Sequence, residues 1–143
     1  MTHILIVSLG NSPEPIVNCI NSLRPDRVVF FCSESSKKYV PEIVQSVLLR
    51  SFDQKHDLVV LRQDMGVTTE GEVINELDRL DTVYERAFAM IQSVLSKAAS
   101  SNQRFEITVD YTGGTKTMTA GLAMAAIDLG GIKLSLTSVD RSQ

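Results

Sequence analysis

The sequence has no tryptophan, only two cysteines and no apolar run long enough to span a membrane. Cys19 and Cys32 stand in apolar segments and match no metal or redox spacing, so we expect two buried, reduced thiols. The opening apolar run, residues 4–7, is far shorter than the roughly 20 residues of a membrane span, and no basic segment precedes it as in a signal peptide. These absences favour a cytoplasmic protein with no metal site and no membrane contact from this chain itself.

The sequence also has no excess of basic residues. It contains 14 Lys and Arg and 17 Asp and Glu, for a formal charge of −3. Proteins that coat duplex nucleic acid usually carry a basic face, so duplex nucleic acid is not an expected partner. Any anionic ligand must then be small and bound locally. The 143 residues contain no low-complexity tract or internal repeat and are 43% hydrophobic, which predicts one domain over residues 1–143.

Short apolar runs rich in β-branched or aromatic residues predict five strands, at residues 4–7, 28–32, 58–61, 105–109 and 132–137. Helical spacing predicts the helices between them, at residues 13–23, 36–50, about 72–99 and 115–129. Nearly continuous apolar runs are typical of parallel strands covered on both faces. The alternation predicts an α/β fold with a Rossmann-like, doubly wound, mainly parallel sheet of about five strands. Ligands of such sheets bind beyond the carboxyl ends of the strands.

Three loops at those carboxyl ends are rich in small polar residues, and the first spans residues 8–13. Gly10 and Asn11 tolerate positive φ, and the hydroxyls with the following helix N-terminus could hold a phosphate or a base edge. A plain connecting turn would use the same residue types. The candidate ligand-binding residues of this loop are Ser8, Leu9, Gly10, Asn11 and Ser12.

The second loop contains Ser33, Glu34 and Ser35 after the second predicted strand. An acidic residue at this place in a dinucleotide-binding fold accepts hydrogen bonds from ribose hydroxyls, and Glu34 is the candidate. A helix-capping role for Glu34, with Lys37 and Lys38 as the solvated start of a helix, is equally open.

The third loop, residues 110–118, gives the strongest signal in the chain. Its glycines can bring backbone N–H groups close to an anion, and its threonine hydroxyls can donate hydrogen bonds. Lys116 falls in the first turn of a predicted helix, where a cation opposes the helix dipole, so an anionic ligand explains it better than folding does. The candidate ligand-binding residues here are Thr112, Gly113, Gly114, Thr115, Lys116 and Met118.

Neither glycine-bearing loop matches a common nucleotide-binding motif. The third loop lacks the upstream glycine of G-x-x-x-x-G-K-[ST] and places Thr115 between Gly114 and Lys116, and the first loop is not G-x-G-x-x-G. Ordinary ATPase and nicotinamide-dependent functions lose their best support, and we expect no cofactor.

The first and third loops resemble the two ligand-binding motifs of the CRISPR-associated Rossmann-fold (CARF) family, in V-S-L-G-N-S at residues 7–12 and D-Y-T-G-G-T-K-T-M at residues 110–118. The order of the predicted strands, helices and motif-bearing loops is similar to that of the family over nearly the whole chain. In that family two domains pair about a two-fold axis and bind a ring of four or six adenylates, made by the type III CRISPR complex. The resemblance implies a homodimeric cyclic oligoadenylate sensor that allosterically controls a fused effector. The residues that match the family's motifs are Ser8, Gly10, Asn11, Ser12, Thr112, Gly113, Gly114, Thr115 and Lys116.

Two alternatives stay open. Some CARF domains cleave their ring without metal by attack of a ribose 2′-hydroxyl, and in such a ring nuclease Lys116 and Ser12 would be the catalytic candidates of a slow reaction. His3 and His56 should lie at the edge opposite the crevice, and the sequence has no Ser-His-Asp order, H-E-x-x-H or metal-spaced carboxylates. The other alternative is the ligand-sensing part of a DNA-binding regulator, although no helix-turn-helix is present.

Members of the CARF family commonly append an effector, whereas this sequence stops at Gln143, just after its fifth predicted strand. We expect the chain to be a fragment of a longer protein. Ring size cannot be read from single contacts, and we favour cyclic tetra-adenylate. Residues 64–71 are expected either as a loop near the ligand or as a surface turn.

Overall fold

Five strands alternate with four helices in the computed structural model, which describes residues 1–49, 51–63, 69–71 and 75–137. The strands are β1 (Thr2–Leu9), β2 (Arg27–Ser33), β3 (Leu58–Leu61), β4 (Phe105–Asp110) and β5 (Lys133–Ser135). The helices are α1 (Glu14–Leu23), α2 (Val40–Ser46), α3 (Leu80–Ala99) and α4 (Lys116–Leu129). The predicted α/β fold and its five strands are thereby confirmed.

The strands form one sheet in the order β3-β2-β1-β4-β5, and all four pairings are parallel. β1 lies at the centre, between β2 and β4. The chain first adds strands on one side of β1 and then on the other, so the topological switch point lies between β1 and β4. Ligands of open α/β sheets bind outside the carboxyl ends of the strands at this point.

Both faces of the sheet are buried, which explains the continuous apolar runs of the central strands. Leu5 and Val7 of β1 pack in the cluster that includes α1 and α2, whereas Ile4 and Ile6 pack in the cluster that includes α3 and α4. None of these four side chains is more than 4% exposed. Complete burial of an aliphatic side chain contributes about 1.5–3 kcal/mol, so the double-sided burial of β1 anchors the loop that follows it.

α3 and α4 pack closely because α4 carries a glycine at their contact. A β-carbon at Gly121 would lie 2.6 Å from Cγ1 of Val83 and 3.1 Å from the backbone nitrogen of Tyr84. The outer face of α4 is less enclosed than its small-residue composition predicts, because Met124 is 46% and Ile127 is 64% exposed. In the described part of the chain, no helix combines the length and apolarity that a membrane crossing requires.

Two helices are shorter than predicted. The segment predicted as a helix at residues 36–50 begins with a 3-10 turn at Lys37–Tyr39, followed by α2. Pro41 explains the break, because it has no N–H group to donate to a preceding carbonyl. α2 ends at Ser46, and Leu48 shortly after it adopts a φ of 54°.

The predicted start of the long helix was wrong, because α3 begins at Leu80 rather than near residue 72. Asn75 and Arg79 are extended and flank a 3-10 turn at Glu76–Asp78, and the Asn75 side chain accepts a hydrogen bond from the Leu77 amide at 2.9 Å. Leu77 is nevertheless buried. Its spacing from the other apolar residues of the segment therefore matched that of a helix. Residues 72–74, and residues 64–68 of the predicted loop at 64–71, lie outside the described residues.

Candidate ligand-binding site

A cavity of about 780 Å³, which we call the crevice, opens at the carboxyl ends of β1, β2 and β4. Most residues predicted to bind a ligand line it: Leu9, Gly10, Asn11, Ser12, Ser33, Ser35, Thr112, Gly113, Gly114, Thr115 and Met118. The three loops that are far apart in the sequence therefore surround one opening.

Ser8, Glu34 and Lys116 are not part of the crevice wall. β1 continues to Leu9, so Ser8 belongs to the strand, and its fully buried Oγ donates to the carbonyl of Gly113. The Ser8 hydroxyl thus holds the third loop instead of facing the crevice. Glu34 is exposed, and Lys116 is exposed at the rim, where it follows Thr115 of the wall and begins α4.

Glycines bring the loops after β1 and β4 into backbone contact. A β-carbon at Gly10 would lie 2.7 Å from the nitrogen of Gly114, and one at Gly113 would lie 2.5 Å from the carbonyl oxygen of Ser8. Any side chain at either position would push the two backbones apart. Gly114 also adopts a φ of 99°, which glycine tolerates at little cost.

A serine network shapes the second loop. The Ser33 amide donates to Oγ of Ser36 at 2.9 Å, and the Ser36 amide donates to Oγ of Ser33 at 3.1 Å. The Ser35 amide donates to Oε1 of Gln63 at 3.1 Å, which joins this loop to the segment after β3. Ser35 and Gln63 thereby form one wall of the crevice.

The N-termini of α1 and α4 both reach the crevice. Thr115 caps α4, since its Oγ1 accepts a hydrogen bond from the Met118 amide at 3.1 Å. Glu14, the first residue of α1, also lines the crevice. The first N–H groups of a helix carry partial positive charge, so the end of α4 favours an anion at the crevice. At the end of α1, Pro15 has no N–H group, and the amides of Ile16 and Val17 both donate to the carbonyl of Pro13.

Sequence reasoning missed six residues of the wall: Glu14, Pro15, Asn18, Gln63, Leu77 and Thr137. Gln63 and Thr137 follow the carboxyl ends of β3 and β5, so the rule that located the first three loops could also have located them. Glu14 and Asn18 are four residues apart on α1 and therefore share one face of that helix. Glu14 is the one charged side chain in the described wall.

Beneath the wall lies the buried carboxylate of Asp110. Its Oδ1 accepts a hydrogen bond from the Thr112 amide at 3.0 Å. Its Oδ2 accepts hydrogen bonds from Ser135 Oγ at 2.9 Å, Thr137 Oγ1 at 2.8 Å and Cys19 Sγ at 3.3 Å. Burial, reinforced by the charge of Asp110, raises the pKa of the Cys19 thiol to about 12, so Cys19 keeps its proton and acts as a donor.

The histidines lie away from the crevice, as predicted. Nε2 of His3, near the amino end of β1, is 2.9 Å from Oγ1 of Thr108, and Nδ1 of His56 is 2.5 Å from Oδ2 of Asp53. Both cysteines are free and buried, as predicted. Among the described residues, no group of three or more His, Cys, Asp or Glu side chains is arranged to hold a metal ion.

Solved structures share this fold. The chain aligns over 98% of its length with Enterococcus italicus Csm6 bound to cyclic hexa-2′-fluoro-hexa-dAMP, with a TM-score of 0.64 and 16% identity, and it covers 34% of that chain. It also aligns over 95% of its length with protein VC1899 from Vibrio cholerae, with a TM-score of 0.66 and 8% identity, and it covers 30% of that chain. The chain thus spans about a third of the length of these proteins.

No family model matches the sequence, and no curated protein matches it. At these identities the likeness shows a shared fold alone.

We predict that Gly10→Ala destabilises the protein by about 1–3 kcal/mol, because its β-carbon would overlap the backbone of Gly114. Urea unfolding followed by circular dichroism measures the loss. Asn11→Ala is the control, since the exposed Asn11 side chain should change the free energy of unfolding by no more than about 0.5 kcal/mol. Equal stability of the two variants would show that the loops are not in close contact.

Proposed function

We propose that this chain is a cyclic oligoadenylate sensor of the CARF type, which controls an effector fused to it in a longer protein. The observation that carries the proposal is the meeting of both CARF-like motifs at one crevice. The fold is shared with Csm6, whose structure was solved with a cyclic oligonucleotide bound. The crevice lies at the switch point between β1 and β4, where α/β sheets of this kind bind ligands.

The phosphates of the ring fit the part of the crevice formed by the third loop and the N-terminus of α4. Here the backbone of Gly113 and Gly114 forms the wall, and a helix dipole points its positive end at the ligand. Lys116 stands at the rim, where a long side chain can reach a phosphate. It forms no ion pair with the described acidic residues.

The adenine bases fit the opposite part of the wall. Glu14, Asn18 and Gln63 place carboxylate and amide oxygens there, which accept hydrogen bonds from exocyclic amino groups. A carboxylate repels phosphate but suits an adenine amino group, so Glu14 favours a ligand that presents both anionic and amino groups.

Size favours a ring shared by two chains. The crevice of one chain, about 780 Å³, is of the order that holds a drug-sized molecule, whereas a ring of four adenylates is larger. An apolar surface suited to a second copy lies on α4 and β5, at the sheet edge where β5 is the last strand. The exposed apolar side chains of α4, of β5 and of the residue after it are Met124, Ile127, Leu134 and Leu136, which are 41–64% exposed.

Lys116→Ala should weaken binding of cyclic tetra- or hexa-adenylate by about tenfold or more, because a hydrogen bond to a charged group contributes about 1.5–3 kcal/mol. Its melting temperature without ligand should stay equal or rise slightly, because the substitution removes a cation from a helix N-terminus. Isothermal titration measures the affinity. Lys55→Ala, which removes the same charge from an exposed position outside the crevice, is the matched control and should bind like the wild type. An unchanged dissociation constant for Lys116→Ala would show that this lysine does not bind the ring.

We further predict about one ring bound per two chains, as two-fold pairing requires. Ile127→Glu should separate the dimer, since it places a charge in the proposed apolar interface, and should also abolish tight binding. Light scattering after size-exclusion chromatography measures the mass. Leu48→Glu, at an equally exposed leucine on another part of the surface, should remain dimeric. One ring per chain, or a wild-type monomer that binds tightly, would contradict the shared site.

A second candidate function, ring cleavage, is favoured by the position of Glu14. A carboxylate in the crevice wall supplies the general base that attack by a 2′-hydroxyl requires, with Lys116 and Ser12 as the neighbouring candidates for stabilising the phosphate.

We expect this reaction to be slow, because Glu14 is exposed and water competes for its proton-accepting oxygens. Wild-type protein in slight excess over radiolabelled ring, with EDTA present, should leave most of the ring intact for many minutes. Glu14→Gln should abolish any cleavage, because an amide is not a base, and should still bind the ring, because its amide oxygen can accept a hydrogen bond from an adenine amino group. Complete cleavage within seconds would show that turnover, not sensing, is the main activity, and undiminished cleavage by Glu14→Gln would exclude Glu14 as the base.

A further inference from the structure

The Asp110 carboxylate joins three separate parts of the chain. Its donors come from α1 (Cys19), from the third loop (Thr112) and from β5 and the residues after it (Ser135 and Thr137). We call these five residues the Asp110 cluster.

Among the described residues, the partners of the Asp110 carboxylate are hydrogen-bond donors. The side chain is fully buried, and no cation of the described residues lies within ion-pair distance of it. A buried carboxylate is costly unless donors surround it, so each donor lost leaves charge without compensation. The remaining partners must then move, or water must enter, and either event shifts the backbone that carries them.

Two further hydrogen bonds tie the third loop to the chain around β5. The Thr137 amide donates to Oγ1 of Thr112 at 2.6 Å, and the Tyr111 amide donates to the carbonyl of Ser135 at 3.1 Å. Thr112 and Thr137 both line the crevice, whereas Asp110 and Ser135 do not. The third-loop part of the crevice wall is therefore held in part by Asp110 and Ser135, which lie behind the wall.

We propose that Asp110 is a positioning residue for the ligand site: through Ser135 and Thr137 it holds the third loop in its binding geometry and couples the crevice to the chain that follows β5. This inference rests on the proposed function, because it concerns how the same crevice binds its ligand. The ligand need not contact Asp110. The ligand contacts the wall that Asp110 holds in place. Ligand binding should therefore stabilise the segment at residues 135–137, and this segment should in turn strengthen ligand binding.

Ser135→Ala tests the proposal, because it removes one donor to Asp110 without changing the crevice wall. We expect its affinity for cyclic tetra- or hexa-adenylate, measured by isothermal titration, to fall by about tenfold, in line with the strength of a hydrogen bond to a charged group. Ser135→Thr keeps the hydroxyl and should restore binding. Cys19→Ala should cost less than Ser135→Ala, since a thiol is a weak donor.

Thr108→Val is the matched control for a merely structural effect. It removes a buried hydroxyl of β4 that contacts His3, outside the Asp110 cluster. Its stability should fall while its affinity stays at the wild-type value, because a ligand binds the folded state. A Ser135→Ala protein that loses stability but binds the ring like the wild type would overturn the proposal.

A ligand-free measurement separates this proposal from the proposed function. In ¹H–¹⁵N spectra without ligand, Ser135→Ala should shift the amide signals of Thr112, Gly113 and Gly10, and Thr108→Val should leave them in place. If the wild type binds no ring, the proposed function fails, and these spectra still decide whether the cluster positions the loop. Unshifted Thr112 and Gly113 signals in Ser135→Ala would overturn the proposal that Asp110 positions the third loop.

Discussion

The need to surround a buried carboxylate with donors governs the geometry of this site. Asp110 ends β4 beside the topological switch point, and its buried side chain accepts hydrogen bonds from α1, from the third loop and from β5. The close backbone contacts of Gly10 and Gly113 bring the loops after β1 and β4 together beside this carboxylate. The buried Asp110 side chain and its donors thus lie directly beside the open crevice.

The site can receive an anion although the chain is acidic overall. Its wall offers backbone N–H groups, hydroxyls and the N-terminus of α4, and its single described charge is the carboxylate of Glu14. Such a wall gives little long-range attraction but many short, directed hydrogen bonds. Under the proposed function, selectivity comes from geometry: the ring matches its phosphates to the third loop and its adenine amino groups to Glu14 and Asn18, so simple phosphate should bind weakly.

The sequence predicted those parts of the fold that local physics decides. Buried parallel strands leave continuous apolar runs, and the carboxyl-end rule then located the three loops that line the crevice. Sequence analysis failed where a local cap or a contact between distant segments decides the structure. The buried Leu77 has helical spacing but lies in a 3-10 turn, because Asn75 caps that turn and Arg79 is extended. Ser8 was placed in a loop, yet the strand continues through it, because Ser8 pairs with Phe31 of β2. Thr137 joins the wall through its bonds to Thr112 and Asp110.

Amide hydrogen exchange with and without cyclic tetra-adenylate, followed by mass spectrometry, tests the central claim most directly. The account predicts that the ring slows exchange at residues 10–18 and 111–119, the two motif-bearing segments, and at residues 133–137, which Asp110 ties to them. Residues 51–60, on the opposite edge of the sheet, should exchange at the same rate with and without ligand. No change in the two motif-bearing segments at a ring concentration well above that of the protein would contradict the assignment of this chain as a cyclic oligoadenylate sensor.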